Sequence, residues 1–99
     1  MSTERVIRNH MRTLEGQAGN LRVLIYLSNV DETNFQSIVE GLPLTGRSLY
    51  SVIDKLKELE LINTRIDRSS YPTRNMISLT EKGRKVAECL KKIEKLLEE

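Results

Sequence analysis

The sequence predicts a small α+β domain, mostly helical, and three observations lead to that fold class. Between Thr45 and Gly83 the chain reads as an amphipathic helix, an arginine-bearing β-hairpin and the start of another helix, in that order. Ahead of that stretch lie short helical segments with apolar stripes, broken by Gly16, Gly19, Gly41 and Pro43. Behind it runs one more helix with a repeating apolar seam. The 99 residues suffice for one small domain, or one domain plus a helical arm.

Each element has its own signal. Val6, Ile7, Met11 and Leu14 recur at roughly helical spacing within Thr3 to Glu15. Gly16 and Gly19 weaken that helix, and whether it continues bent or restarts is open. Asn20 is a candidate cap for the next helix, whose Leu21, Leu24, Ile25 and Leu27 line one side, widened by Val23 and Tyr26. Thr33-Asn34-Phe35-Gln36 fits a capping box, with Thr33 as N-cap and Gln36 reaching back. Phe35, Ile38, Val39 and Leu42 then make a short core helix that Gly41 and Pro43 stop. Thr45 is the next N-cap, and the helix from about Gly46 to Leu59 buries Leu49, Val52, Ile53, Leu56 and Leu59. Its opposite face centres on Arg47, Ser51, Asp54 and Glu58, with Ser48 and Lys55 on one flank and Tyr50 and Lys57 on the other.

Ile62, Thr64 and Ile66 alternate with Asn63, Arg65 and Asp67 at the period of a strand. Ile77 and Leu79 answer on the return strand, across a polar turn from Ser69 to Thr73. Thr80 caps the last helix, Glu81 to about Leu97. Its Val86, Leu90, Ile93 and Leu97 form a short heptad seam, which must pack on the domain, on the N-terminal helix or on another copy of itself.

Composition narrows the class. At 38% hydrophobic and 30% charged, the chain is globular rather than disordered. Three tyrosines and one phenylalanine leave the core to Leu, Ile and Val. A domain of this size buries a modest fraction of its surface, so pairing with a second copy would help it. The formal net charge is only +2, but residues 62 to 80 carry Arg65, Arg68 and Arg74 against Asp67 alone. Positive charge thus gathers at the hairpin, where a polyanion would meet it. Cys89 is the one cysteine, which rules out an internal disulfide and fits a reducing compartment. No apolar run approaches bilayer-spanning length and the N-terminus lacks an apolar signal core, so the reading is a cytoplasmic protein with no membrane partner.

The order helix-turn-helix, hairpin, long helix is that of a winged helix-turn-helix domain with a two-stranded wing and N- and C-terminal helices. Leu56, Leu59, Leu61-Ile62, Arg65, Arg68, Arg74, Leu79-Thr80, Gly83 and Arg84 together resemble the MarR-, PadR- and ArsR-like transcription regulators, over roughly residues 20 to 88. One departure is Glu60, where the group carries Gly before Leu-Ile. A side chain there must accept a left-handed backbone or turn differently.

The resemblance implies a homodimer that binds double-stranded DNA. It divides the chain into an N-terminal arm (residues 1–19), a winged-helix domain (20–80) and a C-terminal dimerisation helix (81–99). Dimer contacts would come from Val6, Ile7, Met11, Val86, Leu90, Ile93 and Leu97. The helix from Gly46 would enter the major groove with Arg47, Ser48, Tyr50, Ser51 and Lys55, and Thr45 at its N-terminus would help to bind a phosphate. The wing would supply Arg65, Arg68, Tyr71 and Arg74.

Other chemistry finds little support. His10 has no ligand partner at metal-binding spacing and reads as a surface or packed histidine. Cys89, just before Leu90, reads as a buried or half-buried small apolar residue. No nucleophile–base set and no glycine-rich phosphate loop occurs, so the chain is read as a non-enzyme without metal or cofactor. Two alternatives to a sequence-specific regulator stay open: a winged helix used as a protein-interaction module in transcription or replication machinery, and a low-specificity architectural DNA binder. The target site, the direction of regulation and any small-molecule effector are not written in the sequence.

Overall fold

The computed structural model describes residues 10–69 and 71–99. Val6 and Ile7 therefore lie outside the described residues. Residues 10–15 are helical, the helix is interrupted by a turn at 16–19, and helix α1 (Asn20–Ser28) starts afresh. Strand β1 (Thr33–Asn34), α2 (Phe35–Gly41), α3 (Gly46–Glu58), β2 (Ile62–Asp67), β3 (Arg74–Leu79) and α4 (Glu81–Leu97) follow. The hairpin is joined by β1 into a three-stranded antiparallel sheet of order β1-β3-β2, so the expected two-stranded wing gains an edge strand.

That third strand corrects the capping box. Thr33 pairs with Ile77 in the sheet, and Asn34 is the N-cap, accepting from the Ser37 amide at 2.8 Å. Gln36 donates to Glu40 one turn on instead of reaching back. Asparagine and threonine are both good caps by type, asparagine the better, and the pairing of Thr33 in the sheet leaves the role to Asn34.

Asn20 also acts otherwise than expected. Gly19, at φ 99°, occupies the N-cap position of α1 without a side-chain bond. The buried Asn20 amide turns back and donates to the carbonyls of Thr13 (3.3 Å) and Leu14 (2.6 Å). It thereby ties the C-terminal end of the preceding helix to the first residue of α1, adding to the Gly16 amide that already donates to the Thr13 carbonyl (3.3 Å).

The core joins α1, α2, α3, the sheet and α4 through Val23, Leu24, Leu27, Ile38, Leu49, Val52, Leu56, Leu61, Ile62, Ile77, Leu79 and Ala87. Burial of α1 centres on Val23, Leu24 and Leu27. Ile25 and Tyr26 are half-buried, and Leu21 is exposed instead of facing the core. Ile53 and Leu59 of the α3 stripe are likewise half-buried.

The joint between α3 and the wing sets the angle of the whole site. Glu60 accepts the left-handed backbone, at φ 60°. Its amide donates to the Lys57 carbonyl, and the Leu61 amide to the Leu56 carbonyl, both at 2.9 Å. Those two bonds make a Schellman motif with glutamate where glycine is usual. Thr80 clasps the same corner from the other side. Its amide donates to the Leu61 carbonyl (3.0 Å), its hydroxyl donates to the Glu60 carbonyl (2.8 Å), and its Oγ1 accepts from the Gly83 amide (2.9 Å). The Leu-Thr-x-x-Gly run is thus both the cap of α4 and the bracket that fixes where the wing leaves α3.

Candidate nucleic-acid interface

α3 is amphipathic, so seating Leu49, Val52 and Leu56 in the core determines which side chains point away. Thr45 caps it as expected: its Oγ1 accepts from the Ser48 amide at 3.1 Å and the two hydroxyls bond at 3.1 Å. The front of the helix therefore offers hydroxyls beside the exposed Arg47. Ser51 and Lys55 are half-buried. The exposed ridge runs instead through Arg47, Tyr50, Asp54 and Lys57, one flank over from the face centred on Ser51. Tyr50 is 60% exposed and leans on Phe35 of α2, with ring centroids 4.6 Å apart and planes at 37°. That aromatic pair ties the helix-turn-helix together while leaving most of Tyr50 available.

The structure separates the three wing arginines. Strand alternation puts Ile62, Thr64 and Ile66 on the side of α3, and Asn63, Arg65 and Asp67 on the other. Arg65 there makes a bidentate pair with Glu32: Nε to Oε2 at 2.7 Å and Nη2 to Oε1 at 2.8 Å. The hydrogen bonds from Arg65 hold the Glu32 carboxyl below the usual range, and the same pairing raises Arg65. Arg68 and Arg74 are exposed near the loop. Asp67, opposite Arg74 in the register, accepts from the Ser69 hydroxyl (2.6 Å) and amide (2.9 Å). Those bonds, the hydroxyl first, hold its pKa low. Tyr71, before a cis proline, is 98% exposed at the loop.

Between α3 and the wing lies a cleft of about 440 Å³, lined by Phe35, Tyr50, Ile53, Asp54, Lys57, Thr64, Arg65, Ile66, Asn75 and Ile77. Half of Ile66 is exposed there. Sequence reasoning missed Ile66 and Glu32. The first was counted as a strand's inward residue, which it is, but the core ends before it. The second carries no local signal, since it meets Arg65 only through the strand order.

The dimer candidates divide. Val86 and Leu90 are half-buried against the core, whereas Met11, Ile93 (51%) and Leu97 (80%) are exposed, with Leu96 beside them. Cys89 is exposed, not half-buried, because it lies one position off the packed side of α4. Among the described residues there is no group of three His, Cys, Asp or Glu side chains able to hold a metal, and no helix long and apolar enough to cross a membrane.

Solved structures share this arrangement. A transcriptional regulator homologue from Pyrococcus horikoshii superposes with a TM-score of 0.74 at 23% identity, over 92% of this chain and 91% of that one. A protein of Enterococcus faecalis assigned to the MarR family of transcriptional regulators gives 0.76 at 18% identity, over 96% and 84%. A mutant of MepR from a multidrug-resistant clinical isolate of Staphylococcus aureus gives 0.70 at 23% identity, over 99% and 73%. At these identities the likeness is one of fold. No curated protein sequence matches the chain. Residues 20–97 match the model of the winged helix DNA-binding domain, and the chain belongs to that family.

Proposed function

We propose that the protein is a sequence-specific transcription regulator that binds duplex DNA as a homodimer in the cytoplasm. In this reading α3 enters the major groove and the wing lies along the phosphate backbone. The observation that carries it is the capped front of α3, with Arg47 exposed, on the same molecule as a wing bearing exposed Arg68, Tyr71 and Arg74. A helix N-terminus with hydroxyls and an arginine suits phosphate and base edges together. Thr45, Ser48, Tyr50, Ser51 and Lys55 would complete the helix contacts, the half-buried Ser51 and Lys55 from its flank.

The test is titration of labelled duplexes, enriched from a random pool, over a range of salt. Affinity for every sequence should fall steeply as salt rises. Replacing Arg68 and Arg74 together by alanine should weaken binding to all sequences alike. It should also flatten the salt slope by roughly one unit for each phosphate that the variant no longer neutralises. An unchanged slope would remove the wing from the interface.

The arm of residues 1–19 and the α4 segment 81–99 are proposed as the dimer contact. Ile93, Leu96 and Leu97 leave an apolar strip on α4, and Met11 a further apolar side chain on the arm. A second copy would cover them, as small domains with little core require. Sedimentation should find a dimer at micromolar concentration. An Ile93→Lys, Leu97→Lys variant should sediment as a folded monomer, since both side chains are exposed within the chain. A wild-type monomer would refute the dimer.

A second reading, that of a protein-interaction module, draws on the exposed Tyr50 and Ile66 at the α3–wing cleft. Failure of any duplex to bind at low salt would select it.

A further inference from the structure

The Glu32–Arg65 pair crosses the sheet. Thr33 pairs with Ile77 and Asn34 with Met76, while Arg65 pairs with Met76 from the other edge. Glu32, the residue just before β1, and Arg65 on β2 therefore sit on opposite sides of β3, flanking strands whose axes are about 10 Å apart. Their side chains close that gap with two short hydrogen bonds on the sheet face turned away from the core. A fork–fork arginine–carboxylate contact of this kind is the strongest geometry an ion pair has. It engages Arg65 through its Nε and Nη2 edge, and places a carboxylate beside the wing.

We propose that Glu32 withholds Arg65 from phosphate, and so holds down the protein's sequence-independent affinity for DNA. The inference rests on the DNA-binding reading above. Wing affinity for phosphate has no sequence information in it, so each wing cation raises binding to all duplexes alike. With Arg65 neutralised by its partner, the wing acts through Arg68 and Arg74, and a larger share of the binding free energy is left to α3. Specificity is a ratio of affinities, and lowering the non-specific one raises it. Glu32 is thereby a specificity-determining residue that need touch neither base nor phosphate.

The experiment compares wild type, Glu32→Gln and the double variant Glu32→Gln, Arg65→Gln on a selected duplex and on a random-sequence duplex. The pair is exposed, so all three should fold, as circular dichroism and thermal unfolding will check. Glu32→Gln should bind the random duplex roughly three- to ten-fold more tightly at ~0.1 M salt, with a slope steeper by about 0.9 per wing. Its ratio of specific to non-specific affinity should fall. The double variant, which restores a neutral pair without the cation, should return to wild-type affinity and slope. Unchanged binding by Glu32→Gln overturns the proposal. Weaker binding does so too, since Glu32 would then be presenting Arg65 to DNA. If the double variant stays as tight as Glu32→Gln, the gain comes from removing a repulsive carboxylate and not from releasing Arg65, which also overturns it. Wild type alone reads the underlying premise: if it binds no duplex at low salt, the DNA-binding reading fails, and this inference with it.

Discussion

Replacing Gly83 by alanine is expected to cost at least about 3 kcal/mol of stability, or to prevent folding at room temperature. A Cβ built at Gly83 would overlap the Leu61 carbonyl oxygen and lie 2.8 Å from its carbon. Both are backbone atoms, so no rotamer change relieves the clash. Either α4 or the start of the wing must move. The same Leu61 carbonyl accepts the Thr80 amide, and the Gly83 amide donates to the Thr80 hydroxyl. Displacement would therefore strain the cap of α4 and the bracket on Glu60 together. Gly46→Ala is the control. Its Cβ would meet only Phe35 Cε1, at an ordinary 3.8 Å, and it removes a flexible residue from the first turn of α3. That variant should be neutral, or more stable by up to about 1 kcal/mol. Urea unfolding of both proteins decides the matter. A loss under about 1 kcal/mol for Gly83→Ala would show that α4 and the wing meet more loosely than the geometry states.

The sequence carried most of the fold because its signals were local. The stripe of Leu49, Val52 and Leu56, the caps Thr45 and Thr80 and the alternation of Ile62 to Asp67 each lie within one element, and each falls where it was expected. What it did not carry depended on pairing across the chain. Thr33 reads as a cap until β1 pairs with β3. Asn20 reads as a cap until Gly19 takes that place and frees its amide for the preceding turn. The wing arginines look alike in one dimension. Arg65 differs from Arg68 and Arg74 only because Glu32, 33 residues earlier, is brought beside the same sheet. Cys89 and Ile93 depend on a helical phase that the heptad seam describes only as far as Leu90, where the core ends and α4 runs on past it.

Loss of base preference at one position of each half-site is the expected result of Arg47→Ala. Arg47 lies in the first turn of α3, on the side opposite Leu49, Val52 and Leu56, and it is exposed. In a helix-turn-helix the side chains at the front of this helix are the ones that reach base edges in the major groove. Among the residues there, only Arg47 has the planar fork that matches guanine O6 and N7 together, a contact worth roughly 1–3 kcal/mol of discrimination. Ser48 is tied to Thr45, Tyr50 rests on Phe35, and the half-buried Lys55 ends in a single charge. Removing Arg47 takes nothing from the core, so the fold should survive. In a two-fold symmetric dimer the effect should appear twice, in half-sites about one helical turn of DNA apart. The measurement is the base-preference profile of wild type and variant at one fixed salt concentration. If the two profiles coincide and affinity merely drops, Arg47 is a phosphate contact. Base reading must then move along the exposed ridge to Tyr50, Asp54 and Lys57, of which Asp54 can accept from cytosine N4 only against the repulsion of nearby phosphates.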